Sequence, residues 1–309
     1  MNKKINEKIN QEKKVIHKPV MVAEVLKYLK IEPNKTYLDV TFGGGGHTKA
    51  ILEKVKTCKV IAFDWDKKTI EKNAPPLQKK YGKRLKVLWG NFALIHKIFK
   101  KEKIIKVDGI LADFGISQIQ IEQTPGISFQ KDTPLDMRIS KAHYYFKASD
   151  ILNRYSEKNL TKIFFDLGEE KYARQIAKKI VEYRKKEKFK TTGQLTNLVE
   201  EVIPKYKMAK RRYYIHPATK VFQALRIFVN KELENMQQFL STSIKFLTPK
   251  SRIVCISFHS LEDRIIKNFF KEKKEELKII TPKPIIPTQK EIKENASSRS
   301  AKLRTAEKI

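Results

Sequence analysis

The sequence predicts an α/β fold: a doubly wound sheet interrupted by an all-helical insert. Two observations carry this. Over the first 116 residues short β-rich runs alternate with helical stretches, and from 122 to 215 no run reads as a strand. Buried parallel strands read as near-continuous apolar runs, which is the pattern here.

Taken in order, TYLDVTF (36–42) is followed by the helical HTKAILEKV, then by KVIAFDWD (59–66). Beyond the polar segment around Pro75 and Pro76 come LKVLWGNF (85–92) and VDGILADFGI (107–116). Four βα units of this kind build a doubly wound sheet. The insert reads as consecutive amphipathic helices, with Thr191 or Thr192 as a cap for the last. Within it, KYKMAKRRYY (205–214) mixes five basic residues with three tyrosines, which suits RNA or a solvated helix end equally. The α/β pattern resumes with one long helical stretch from His216 and a buried strand SRIVCISF (251–258). The expected organisation is a flexible tail (1–16), a discontinuous sheet domain (17–121 and 216–309) and the helical insert (122–215).

Lys plus Arg number 66 against 34 acidic residues, a net charge of +32. That excess suits a polyanion such as nucleic acid, and equally an AT-biased codon usage. Cys58 and Cys255 lie in apolar runs and read as core residues of a reducing compartment, with neither metal spacing nor a disulfide framework. The first 16 residues lack an apolar signal core, and no run approaches a membrane span, so a cytoplasmic location is expected.

The stretch LDVTFGGGGHTKAIL (38–52) carries the chemistry. A P-loop needs Gly-Lys-Ser/Thr, but Gly46 is followed by His47 and Thr48. A dinucleotide fingerprint needs a third glycine where this chain has Thr48 or Lys49. S-adenosylmethionine, whose adenosine and methionine parts carry no phosphate, needs only a glycine loop and an acid at the next strand end. Asp64 supplies that acid for the ribose hydroxyls, while Asp39 is placed to orient either the loop or the cofactor's amino group. Asp113 ends the fourth strand, beside the cofactor crevice. There it could accept an N–H from an exocyclic base amine and align it for in-line methyl transfer, or simply cap the strand.

HKPVMVAEVL, the glycine stretch, GILADFGISQIQ, GISFQKDTPLDMRI, GEEKYARQIAKKIV, HPATKVFQALRIFVNKELE, ISFHSLEDRIIKNF and SRSAKLR together resemble the bacterial 16S rRNA cytosine-N4 methyltransferases, the MraW or RsmH family. The resemblance covers nearly everything beyond residue 16. It implies a Rossmann-like methyltransferase sheet and methyl transfer from S-adenosylmethionine to N4 of a cytidine in the decoding region of small-subunit 16S rRNA. It also implies an insert that helps hold RNA, no metal and no membrane. Carried over by position, the cofactor contacts are Gly45, Gly46, His47, Asp64, Phe92, Asp113 and Gln120, with Asp113 also the catalytic candidate. Phe92 is read as the end of the third strand, an apolar wall for adenine. Where the family usually has Ser-Ser-Pro-Gln this chain has Ser117-Gln118-Ile119-Gln120, and loss of the proline loosens the loop that places Gln120.

Other motifs keep open roles. Asp136 and Arg138 of PLDMR could contact RNA or pair structurally. His259, Glu262 and Asp263 follow a strand and are expected to face the crevice, in substrate positioning or helix capping; no G-x-S-x-G elbow accompanies them. His216, before Pro217, reads as a hinge. A DNA amino-methyltransferase would show Asp/Asn-Pro-Pro-Tyr where DFGI stands, and the remaining rival is an RNA-binding assembly factor without activity. The sequence leaves a homodimer open.

Overall fold

The computed structural model describes residues 18–203 and 216–309; the 1–16 tail and the KYKMAKRRYY run lie outside the described residues. The apolar runs become the strands β1 (Thr36–Asp39), β2 (Lys59–Asp64), β3 (Leu85–Trp89), β4 (Val107–Asp113) and β5 (Leu247–Ser257). These five pair in parallel. Two more strands, β6 (Leu277–Ile279) and β7 (Lys302–Lys308), complete a seven-stranded sheet of order β3-β2-β1-β4-β5-β7-β6. β7 runs antiparallel to both its neighbours, so the sheet is mixed rather than wholly parallel. The strand order reverses between β1 and β4, and a ligand crevice forms beyond the carboxyl ends at such a switch point.

Helices α1 (Val22–Leu29), α2 (Gly46–Lys54) and α3 (Lys67–Tyr81) contribute to a core on one face of the sheet, where Val25, Leu29, Ile51, Leu52 and Leu303 are buried. Helix α4 (Ile95–Lys101) serves the other face, with Phe63, Phe99, Phe239 and Phe270. After the short α5 (Gln118–Gln123) come α6 (Ala148–Arg154), α7 (Glu157–Gly168), α8 (Ala173–Tyr183) and α9 (Thr192–Val202), with Thr191 at the N-cap position of α9.

The stretch expected as one helix from His216 is two, α10 (Thr219–Asn230) and α11 (Glu232–Ser243). Lys231 breaks it in a left-handed conformation (φ 48°). The break leaves Asn230, fully buried, free to hold the PLDMR segment. Its Nδ2 donates to Met137 O and its Oδ1 accepts from Ile139 N, both at 2.9 Å. α10 shares a core with the helical layer: Phe222 and Leu225 pack in one cluster with Leu152, Phe164, Ile176 and Val199. α12 (Ser260–Glu272) and α13 (Gln289–Glu294) precede β7.

Candidate active site

A cleft of about 320 Å³ opens beyond the carboxyl ends of β1, β2 and β4 and is closed on its far side by α10 and α11. It falls in the range of small-molecule sites. Gly46, His47, Asp64, Phe92, Asp113 and Gln120 all line it; Gly45 sits one residue behind as the N-cap of α2.

The glycine turn is shaped by the acids around it. Asp64 Oδ2 accepts from Gly43 N at 2.8 Å and its Oδ1 from Asp66 N at 2.9 Å. Asp39 is fully buried; its Oδ1 accepts from Thr41 N at 3.1 Å and its Oδ2 from Thr48 Oγ1 at 2.7 Å. Asp39 therefore ties the end of β1 to α2, which is the loop-orienting role of the two expected for it. Burial raises the carboxyl of Asp39, and His47 and the Thr48 hydroxyl pull against that rise. Burial likewise raises Asp64 to about 7, against the N–H groups of Asp66 and Gly43. Each Asp64 oxygen keeps a second lone pair for a ligand hydroxyl.

Asp113 is anchored by its backbone N–H, which donates to Thr41 Oγ1 at 2.9 Å. Its Oδ2 lies 3.5 Å from His47 Nε2. Both ring nitrogens of buried His47 and Oδ1 of Asp113 have no hydrogen-bond partner among the described residues. Buried polar atoms are nearly always satisfied, so such a set facing one cleft marks where a polar ligand fits. Phe92 opens a 3-10 turn (Phe92–Leu94) rather than ending β3, because β3 stops at Trp89. Its ring packs against Trp65, Phe114 and Phe239, centroids 5.5–6.3 Å away. Gln120 is buried, and its Oε1 accepts from Ser117 N at 3.1 Å in a capping box for α5. That box secures the loop without a proline.

The far wall carries residues the sequence left without roles. Arg226 forks onto Glu232, Nε to Oε1 at 3.0 Å and NH2 to Oε2 at 2.9 Å, bridging the break at Lys231. Burial works against the charge on Arg226, and Glu232 more than offsets it, leaving the guanidinium more basic than usual. His259 is the N-cap of α12, and Glu262 Oε2 accepts from Phe258 N at 2.7 Å. Glu232, His259 and Glu262 bring ligand atoms within 4.8 Å of one another. That is ligand chemistry for a cation, but Arg226 already occupies both oxygens of Glu232, the Phe258 N–H takes Oε2 of Glu262, and Oε1 lies 3.2 Å from His259 Nε2. Asp263 corrects the expectation for this motif: it turns from the cleft to β7, where Arg304 Nε donates to it at 2.6 Å. The pairing of Arg226 with Glu232 was not legible, since it depends on a helix break that periodicity does not show.

Asp136 and Arg138 pair structurally. Arg138 NH2 donates to Asp136 Oδ2 at 2.9 Å, and its NH1 to the carbonyls of Tyr144 and Tyr145 at 3.3 and 3.2 Å. Burial raises the Asp136 carboxyl, but Arg138 outweighs it and the net displacement is downward. His216 lies at the entry to α10, with Nε2 2.8 Å from Glu200 Oε1 and its ring against Phe129. Both cysteines are buried and free, and burial pushes the Cys255 thiol up. Among the described residues no helix is long and apolar enough to cross a membrane.

Comparison with known proteins places these features in a wider set. The model of the MraW methylase family matches residues 14–309. The ribosomal RNA small subunit methyltransferase H of Thermotoga neapolitana is 44% identical over 296 residues, covering 95% of this chain and 96% of that protein. The protein of the same name from Persephonella marina is 43% identical over 297 residues, 96% of this chain and all of that one. The one from Carboxydothermus hydrogenoformans is 40% identical over 311 residues, 95% and 98% respectively.

Proposed function

The chain belongs to the MraW methylase family, and on that premise we propose that it methylates the N4 amine of a cytidine in the decoding region of 16S rRNA within the small subunit. The observation that carries the reading is the meeting of Asp64, His47 and Asp113 at one cleft on the switch point of the sheet. S-adenosylmethionine supplies an electrophilic methyl group on a sulfonium when bound.

The chain's own groups do the rest. Asp64 accepts the ribose hydroxyls through its free lone pairs, and Phe92 forms an apolar wall for adenine. The glycine turn and the N-terminal end of α2 bring backbone and His47 to the methionine end. The Asp113 carboxylate, part-exposed at the cleft, accepts an N–H of the target amine. That contact localises a lone pair otherwise delocalised into the cytosine ring and fixes it for in-line displacement. His47 Nε2, 3.5 Å from Oδ2, keeps a polar group beside that carboxylate. The target base leaves its stack to reach this depth. The buried cysteines have no part, since attack at an exocyclic nitrogen needs no covalent enzyme intermediate.

The test incubates purified protein and labelled S-adenosylmethionine with small subunits from a methylation-deficient strain. Label on cytidine N4 is expected, with Asp113→Ala lowering kcat, measured at saturating cofactor, by about 10²- to 10⁴-fold. No label with cofactor bound would favour the assembly-factor rival. Full transfer by Asp113→Ala would remove that residue from the chemistry.

A further inference from the structure

Beside the cleft, the surface carries a group of aromatic rings that the methyl-transfer site does not use. Trp89 is 52% exposed, Tyr145 85% and Phe146 57%, unusual exposure for side chains of this size. They come from two distant segments, Trp89 at the end of β3 and Tyr145–Phe146 beyond PLDMR, which meet at His143 and Tyr144. The Trp89 ring meets His143 at 5.9 Å, and its Nε1 donates to Trp65 O at 3.0 Å. Trp65 lines the cleft and meets Tyr144 edge-on at 6.0 Å. The patch is thus continuous with the cleft mouth.

The segment that bears it is held firmly. Arg138 grips the carbonyls of Tyr144 and Tyr145, Ser140 Oγ meets His143 Nδ1 at 2.7 Å, and Asn235 Nδ2 donates to Tyr144 Oη at 2.7 Å. Four hydrogen bonds thus support a tip whose outermost rings are exposed to water. The backbone beneath these rings has little ordering entropy left to lose when a planar partner arrives. Charge selects the partner. Lys141 and Lys147 bracket the rings, both exposed, and no acidic residue occurs between Asp136 and Asp150. A second copy of this chain would bring another +32 charges to that face, whereas RNA brings phosphates.

We propose that Trp89, Tyr145 and Phe146 form a stacking platform for unpaired bases of the RNA strand next to the target cytidine. This rests on the RNA reading of the cleft and deepens it: the cleft takes one base, and the platform takes its neighbours. Stacking on aromatics is tolerant of sequence, so the platform contributes affinity and register, while the cleft chooses the base.

The chain has two tryptophans, so Trp65→Phe leaves Trp89 as sole reporter. Short single-stranded oligoadenylate, added without cofactor, is expected to quench its emission, and the same strand paired with oligouridylate to quench it far less. In the full chain, Tyr145→Ala and Phe146→Ala are each expected to weaken oligoadenylate binding about tenfold. They raise KM for small subunits with kcat retained and leave the thermal melt in place. Unquenched emission at saturating oligoadenylate overturns the proposal, as does an unchanged Kd and KM in both variants. So does a dimer that these substitutions dissociate while RNA affinity stays the same. Wild-type protein that transfers no methyl group would sink the cleft reading instead, and the quenching assay would still decide the platform.

Discussion

Gly45 sits at φ +74°, and a Cβ there would collide with Leu77 Cδ1 and press on the Phe42 ring at 3.1 Å. At Gly46 a Cβ would come 2.7 Å from Pro19. These glycines are demanded by the protein's own packing, while the surrounding acids aim the turn at the cleft. Gly45→Ala is expected to cost about 2 kcal/mol or more, from the left-handed backbone and the displaced Leu77, read as a lowered Tm of the ligand-free chain. Asp64 carries a second residue-scale prediction. Its carboxyl, raised by burial to about 7, binds a proton more tightly folded than unfolded. Its contribution to stability therefore falls as pH rises from the ordinary carboxylate range to about 7, then levels. Ribose hydroxyls need the ionised form, so cofactor affinity moves the other way, about tenfold weaker near pH 6 than near pH 8. Calorimetric titration across that window checks it, and Asp64→Asn should bind weakly with no such slope.

Among the elements, the break at Lys231 has the widest consequences, because it frees Asn230 and sets the Arg226–Glu232 fork at the cleft wall. Asn230→Ala leaves the Ile139 N–H and the Met137 carbonyl without their partner and is expected to cost about 2–3 kcal/mol in a denaturant melt. Arg138→Lys removes the planar fork while keeping charge; faster hydrogen exchange at residues 140–147 is the expected result. Sequence pattern revealed β1 to β5 because each contains a run of apolar residues, buried in the central strands and only partly covered in the edge strand β3. It did not reveal β6, which is three residues long, or β7, which reads KLRTAEK. β7 buries Arg304 and Thr305, and the carboxylate that makes Arg304 tolerable there, Asp263, lies on another element. The candidate site was legible as residue types at strand ends. The approach of His47 to Asp113, and the far wall, were not, since both depend on how α2, α10 and α11 meet across the sheet.

In the whole molecule, β7 is an interior strand that joins β6 to the rest of the sheet. Deleting residues 302–309 exposes the hydrogen-bonding edge of β5, leaves Asp263 unpaired beside the core and detaches β6. Loss of the cooperative thermal transition is expected, along with aggregation through the open edge. From Arg252 to Ile256, β5 is paired with β4 on one side and β7 on the other. Its amides should be the last in the protein to exchange with deuterium, since strands in the middle of a sheet open only with the global fold. The end of β5 leads directly into His259 and Glu262, and its partner β4 ends at Asp113. The floor of the cleft is thus bolted to the slowest-breathing part of the molecule, while its rim belongs to loops clamped by a few side chains. A ribosomal RNA substrate therefore meets a cleft whose floor gives way only when the whole fold does, so the adjustment that binding needs falls to the RNA.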